Sequence, residues 1–372
     1  MRLPHGGTAL AGALLLQSPQ AWALDVVLGG SLGFEVIGAT KNRLNGSFDK
    51  RGDDGRSDRG YQFSTDAEMV VRAEGETDAG LLYGAEITLE GDVTTTAKAD
   101  SVFLFFSGGF GRVELGASAG AEDNMRLAAD TIAAGTGGID GDLDTALGTE
   151  FAVTDSGDAV KASYYTPRIA GFQAGVSFTP DTDDFGDNEV LSGNQNGEFE
   201  NQVGFGLNFL DELDFGDLGL ALVGSFGRAE DVRDEETGLL ESGDDDLASL
   251  GFGGLVGFGD LQLAGSYVRA FEVGEGNLLS AGIAYAFGEV NLSLTYNGVF
   301  LDDDDEPDDA TRDVVVLSAD TGLMPGVTLA ADLGLALYDK RTGPEPDSPD
   351  GSGQTIQSGD VLAGIVKLNL EF

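Results

Sequence analysis

Along most of this chain, apolar side chains recur at every second position. Val290, Leu292, Leu294 and Tyr296 alternate with Asn291, Ser293, Thr295 and Asn297. Val203, Phe205, Leu207 and Phe209 alternate with Gln202, Gly204, Gly206 and Asn208, and Thr65, Ala67, Met69 and Val71 with Asp66, Glu68, Val70 and Arg72. A period of two belongs to a strand with one apolar and one wet face. Sixteen such segments follow one another, near 25–39, 61–74, 80–91, 99–107, 110–118, 159–167, 171–179, 199–210, 218–228, 247–258, 260–272, 278–287, 289–300, 312–322, 326–338 and 360–372. Their lengths suit tilted strands that cross a bilayer with about 9–11 residues. The last segment ends the chain: Leu362, Gly364, Val366, Leu368, Leu370 and Phe372 form its apolar stripe, with Lys367, Asn369 and Glu371 between them. Such an edge left free in water would invite aggregation, whereas it closes a barrel whose outer face meets lipid.

Periodicity alone does not separate a membrane barrel from a soluble sandwich, but two further patterns do. Connections alternate in length. Gly108-Gly109, 167–170, Gly259-Asp260, Gly288-Glu289 and 324–326 are short, while 40–60, 92–98, 119–158, 180–198, 229–246, 301–311 and 339–359 are long, with 273–277 the short member of the long set. Up-and-down membrane barrels have this asymmetry, with tight periplasmic turns and long external loops. Aromatic residues also gather at strand ends on the outward parity: Phe209, Phe258, Phe287 and Phe372 at one side, Phe178, Phe226, Tyr267 and Phe300 at the other. These are two girdles at the two interfaces of one apolar band. The pattern predicts an all-β fold, a 16-stranded antiparallel transmembrane β-barrel.

The amino terminus adds an export signal. Arg2 precedes an apolar run from Thr8 to Leu16, and Ala21-Trp22-Ala23 supplies a small-residue cleavage site, so 1–23 is expected to leave and 24–372 to form the barrel. With it go the only histidine, His5, and the only tryptophan, Trp22, from a chain that has no cysteine. Ser-His and Cys-His catalysis, thiolate or imidazole metal sites and disulfides are thereby excluded, and no enzymatic role is expected. A formal charge of −45 makes nucleic acid an implausible partner. The 41% apolar content and its regular arrangement argue against disorder, and 58 glycines against nine prolines fit many short strands and turns.

The segments LGGSLGFEVIGA (28–39), TDAE (65–68), GLLYGAEITLE (80–90), FGRVELG (110–116) and the terminal LNLEF give the chain its likeness to a known family. In this order and spacing it resembles the general porins of Gram-negative bacteria, especially the alphaproteobacterial type. The terminal Phe372 resembles the signal by which outer-membrane proteins reach their assembly machinery. The resemblance implies a homotrimer in the cell outer membrane, in contact with its lipid and lipopolysaccharide and passing small hydrophilic solutes and ions. It also implies a third external loop folded inward into the pore, and the longest connection, 119–158, does follow the fifth strand.

That connection is the candidate constriction. It holds Glu122, Asp123, Asp130, Asp140, Asp142, Asp144, Glu150, Asp155 and Asp158 against a single Arg126. Acids on the loop and bases on the opposite wall would focus a field across a narrow passage and enrich cations. Lumen-parity wall candidates are Arg72, with Glu68 four residues away on the same face, and Arg112, Lys161 and Lys367; Arg43, Arg56 and Arg59 could lean in from above. Any one of these bases would serve equally well as the partner of a neighbouring carboxylate. The Gly137–Asp142 run has calcium-loop composition but does not recur at a nonapeptide period. The acidic runs at 302–309 and 230–246 could hold Ca2+ through oxygen ligands, and read more simply as solvated external loops. No other cofactor is expected. A substrate-selective channel of the same architecture, or a non-conducting adhesive surface barrel, are the alternatives to a diffusion channel.

Overall fold

Backbone pairing between neighbours in sequence turns the alternating segments into one closed sheet. A computed structural model describes residues 24–40, 60–91, 99–182, 199–214, 216–229, 232–233, 240–241, 246–271, 275–301, 310–341 and 357–372. The strands in the first half are β1 (Asp25–Ala39), β2 (Tyr61–Glu76), β3 (Leu82–Glu90), β4 (Ala99–Gly108), β5 (Gly111–Ala117), β6 (Val160–Tyr165), β7 (Phe172–Asp181), β8 (Phe199–Leu213) and β9 (Gly216–Ala229). After β10 (Val232–Arg233) and β11 (Leu240–Glu241) follow β12 (Leu247–Phe258), β13 (Leu261–Ala270), β14 (Gly276–Phe287), β15 (Val290–Leu301), β16 (Ala310–Met324), β17 (Val327–Arg341) and β18 (Gln357–Glu371). β10 and β11 pair only with each other; the other sixteen strands form a closed antiparallel barrel.

Closure is made by β1 and β18, in register from Ser31 opposite Glu371 to Ala39 opposite Ala363. Phe372 belongs to this seam, exchanging both backbone hydrogen bonds with Gly30 at 3.0 and 3.1 Å. Every strand edge of the barrel is thereby paired, as a structure without water around its backbone requires. The expected strand positions hold, with several strands longer than their patterns. β8 continues to Leu213 and β17 to Arg341, because backbone pairing persists after side-chain alternation has stopped.

The two faces invert the rule for water-soluble proteins. On β15, Leu292 and Leu294 are 42% and 45% exposed, while the alternating Ser293 and Thr295 are 3% and 0%. The expected aromatic girdles sit on the exposed face, with Phe258, Phe287 and Phe372 at one set of strand ends and Phe178, Phe226 and Phe300 towards the other. Among the described residues no helix is long and apolar enough to cross a membrane. The acidic runs at 302–309 and most of 230–246, the bases Arg43, Arg56 and Arg59, and the expected leader 1–23 lie outside the described residues.

Candidate functional site

The chain leaving β5 does not turn straight into β6. Residues 118–159 carry α1 (Ala121–Asn124), two single 3-10 turns at Ala129–Ile132 and Gly138–Asp140, and α2 (Asp144–Leu147). An irregular segment has backbone groups without internal partners, and the polar side chains of the wall supply them. On the outward limb, Ser280 Oγ accepts from the Ala129 N–H at 3.0 Å, Ser293 Oγ from the Ala134 N–H at 2.8 Å, and Asp332 from the Thr136 N–H at 3.1 Å. On the return limb, the Tyr338 hydroxyl donates to Leu147 O at 2.6 Å, Asn297 Oδ1 accepts from the Glu150 N–H at 2.9 Å, and Gln202 Nε2 donates to Thr154 O at 3.4 Å. The segment thus runs out from β8 to β17 and back along the face opposite the exposed apolar stripes.

Packing fixes its position as firmly as hydrogen bonding. Ile139, Leu143, Leu147 and Phe151 are buried against Val314, Val316, Ala336, Val361, Ala363 and Ile365. Those six wall residues occupy the parity that elsewhere carries Ser, Asn and Asp, so short stretches of β16, β17 and β18 are apolar on both faces. Several wall glycines admit the loop by close approach, Gly253 and Gly204 most tightly. A Cβ at Gly253 would stand 1.8 Å from Leu127 O, and one at Gly204 would stand 1.5 Å from Glu122 Oε2.

The candidate acids fall into distinct environments. Asp123, Asp130 and Asp140 surround Arg126 at 2.8, 2.7 and 3.1 Å, and its guanidinium lies 5.0 Å from the Phe151 ring centre. Burial works against the Arg126 charge, but these three carboxylates outweigh it and hold its pKa above the ordinary guanidinium range. Asp140 is pushed up to about 6 by burial, with Asp130 beside it and Arg126 opposing the shift. Asp142 meets Lys367 at 3.0 Å, and Glu150 meets Arg312 at 3.3 Å. Asp144 is exposed and accepts from its neighbour's Thr145 hydroxyl at 3.0 Å.

Two candidates are placed differently from expectation. Glu122 is fully buried, accepting from Ser177 Oγ at 2.8 Å, and burial raises its carboxyl. Lys161 is 3% exposed and donates to Ser118 O and to Gly157 O at the two ends of the loop. Neither lines an open passage: together they fasten the base of the loop to the wall, which parity cannot foretell because it gives direction and not cover.

Across the barrel, Arg72 pairs with Glu74 at 2.9 Å and with Glu86 at 3.3 Å. Glu68, four residues away on the same face, stands apart from these contacts, since four residues along a strand span about 13 Å at ~3.3 Å each. Arg112 pairs with Glu114. The two guanidinium groups lie 4.7 and 4.5 Å from the ring centre of Phe105, which is completely buried on the same face. Lys367 reaches three carboxylates: Glu35 at 3.1 Å, Asp66, and Asp142 at 3.0 Å. These three acids are close enough together to share a cation, and the ammonium of Lys367 already serves them. Sequence reasoning missed Phe105, Arg312, Glu35 and Asp66. The available signals were an inward aromatic on β4 and an inward acid on β1 opposite the inward Lys367 of the closing strand.

A family model described as Gram-negative porin matches residues 7–341. An anion-selective porin from Comamonas acidovorans superposes with a TM-score of 0.63 at 16% identity, covering 94% of this chain and 100% of that one. The trimer form of OmpT, an outer membrane protein of Vibrio cholerae, gives 0.64 at 13% identity over 94% and 100%. A mutant of the Rh. blastica porin gives 0.57 at 15% identity over 93% and 100%. In sequence, an uncharacterized protein of Rickettsia typhi is 30% identical over 173 residues, 39% of this chain and 38% of its own length. One of Rickettsia felis is 25% identical over 361 residues, 77% and 80% respectively.

Proposed function

Because the chain belongs to the Gram-negative porin family, we propose that it forms a water-filled outer-membrane channel for passive diffusion of small hydrophilic solutes and ions, with a preference for cations. The observation that carries this reading is the out-and-back course of 118–159 across the polar face of the wall. A closed barrel with apolar side chains outside has that polar face inside, so the loop narrows the lumen from one side. Diffusion through it requires no reaction. The barrel satisfies its own backbone, its exterior dissolves in lipid, and its interior keeps water in the path.

The sign of selectivity rests on side chains rather than on the fold, and a similar fold belongs to an anion-selective protein. Here Asp123, Asp140, Asp142, Asp144 and Glu150 sit on the loop, and Arg126, Lys367 and Arg312 are each already engaged by carboxylates. The excess of acids makes the local potential negative, and a constriction between low-dielectric walls strengthens it. Homotrimer formation, cleavage after Ala23, contact with lipid and lipopolysaccharide, and delivery through the tail at Phe372 belong to the same proposal.

Reversal potentials in planar bilayers under a salt gradient test it. Stepwise openings with cation preference are expected in dilute salt, fading near molar concentration as screening shortens the field to about 3 Å. Replacing Asp140, Asp142 and Asp144 together by Asn should move the reversal potential towards zero. It also leaves Arg126 and Lys367 with fewer acidic partners, which adds to the shift. Anion preference in dilute salt would overturn the electrostatic reading, and a silent barrel would favour the non-conducting surface role.

A further inference from the structure

Where the loop leaves β5 and returns to β6, its base encloses a carboxyl that forms no ion pair among the described residues. Glu122 on α1 is 0% exposed. Its Oε2 accepts from Ser177 Oγ of β7 at 2.8 Å, and its Oε1 from Ser156 Oγ of the return limb at 3.4 Å. Its own backbone N–H is a third donor. A Cβ at Gly204 would stand 1.5 Å from Oε2, and one at Gly120 2.2 Å from Oε1, so backbone closes over the group from the wall and from the loop. The ionisable groups around it are Asp123 on α1, Asp155 and Asp158 on the return limb, and Lys161 and Tyr165 on β6. Against α1, strands β7, β8 and β9 contribute Ser177, Gln202, Gly204 and Val223, none of them ionisable. Lys161 directs its ammonium to Ser118 O and Gly157 O, at the two ends of the loop.

The Ser177 hydroxyl has three neighbours. Its oxygen lies 3.1 Å from Ala121 N, 2.8 Å from Glu122 Oε2 and 3.5 Å from Gly204 O. A serine hydroxyl has one proton to give and two lone pairs. With Glu122 charged, that proton goes to the carboxylate, and Gly204 O receives nothing from Ser177. With Glu122 neutral, the carboxyl donates to Ser177, Ser177 donates on to Gly204 O, and the Ala121 N–H still reaches Ser177. All three contacts are then satisfied, and one chain of hydrogen bonds joins loop to wall. A charged carboxylate enclosed without a paired cation is costly, and burial raises the Glu122 carboxyl.

We propose that Glu122 is a positioning residue that fastens the base of the loop as a neutral acid and releases it on ionising. The passage is then narrow and steady in acid, and wider and noisier as pH rises. Ionisation also draws the Lys161 ammonium towards the new charge and away from Ser118 O and Gly157 O, which loosens both ends of the loop. A raised carboxyl is neutral below its pKa, so the docking it contributes is complete in acid and is lost as pH rises through that value. This deepens the channel reading and rests on it.

Single-channel recording in planar bilayers at molar salt, where screening mutes the other loop acids, tests this from about pH 4 to pH 9. The wild-type current is expected to be quiet in acid and to grow noisier at higher pH. Glu122→Gln, whose amide donates as the neutral acid does, should stay quiet throughout, and Glu122→Ala should be noisy throughout. Wild-type noise that does not change with pH, or a Glu122→Gln profile that follows the wild type, would each overturn the latch. Hydrogen exchange at the Ala121 amide, referenced to the β3 amides at each pH, reads the latch without current. Its protection should fall about tenfold per pH unit above the midpoint in the wild type and stay level in Glu122→Gln; equal falls in both would overturn the assignment. A barrel that is silent while exchange shows the step loses the channel reading and keeps the latch. One that conducts with no step in either measurement loses the latch alone.

Discussion

At the residue scale, charge on the polar face is governed by enclosure more than by number. Arg126 looks in the sequence like one base lost among acids, yet it is the hub that collects Asp123, Asp130 and Asp140. The single Phe105 ring lies against both Arg72 and Arg112. Asp140, partly exposed beside Arg126, is pushed up to about 6, chiefly by burial. A raised carboxyl is charged above that value and neutral below it. Cation preference in dilute salt should therefore be steady above pH 7 and fall as pH is lowered through about 6, measured by reversal potential. Asp140→Asn should remove that step; an identical pH profile in the variant would sink the assignment.

At the element scale, the loop is a docked structure with its own small core. Leu147 on α2 is completely buried against the wall and would collide with a Cβ at Gly334, whose built position lies 2.3 Å from Leu147 Cδ1. Truncating such a leucine costs about 2–5 kcal/mol, a loss that falls on loop docking, since β17 and β18 keep their backbone pairing. Leu147→Ala should then leave the barrel's β-sheet circular dichroism unchanged while single-channel conductance rises and becomes noisier. An unaltered conductance would show that α2 does not hold the loop in place. The strands themselves were readable from alternation because each spans its length with one lipid-facing stripe. Loop docking was written there too, in the doubly apolar stretch of Val314, Val315 and Val316 and in Val361, Ala363 and Ile365. A single-face pattern search discards that second stripe.

At the scale of the whole molecule, Phe372 extends the β1–β18 seam that closes the barrel. Phe372 is half-exposed on the apolar face and holds two backbone bonds to Gly30. Deleting it removes these bonds and apolar burial in lipid of roughly 1.5–3 kcal/mol. The heat-modifiable folded fraction recovered from outer membranes should drop well below that of an Asp144→Ala control, which changes an exposed side chain. Equal recovery would show that the tail carries no assembly role. The sequence by itself determined the number, order and lipid-facing parity of the sixteen barrel strands, though not the short β10 and β11, because a strand in a closed barrel has one decision to make and repeats it at every second residue. It also determined the acidity of the long segment after β5. Only the tertiary structure decided which of those acids meet a base. It buried Glu122 and Lys161 as fasteners, brought Lys367 to Glu35, Asp66 and Asp142, and set Arg312 beside Glu150. The reason is geometric: parity states which face a side chain is on, while cover and contact come from a segment that crosses many strands and has no period of its own.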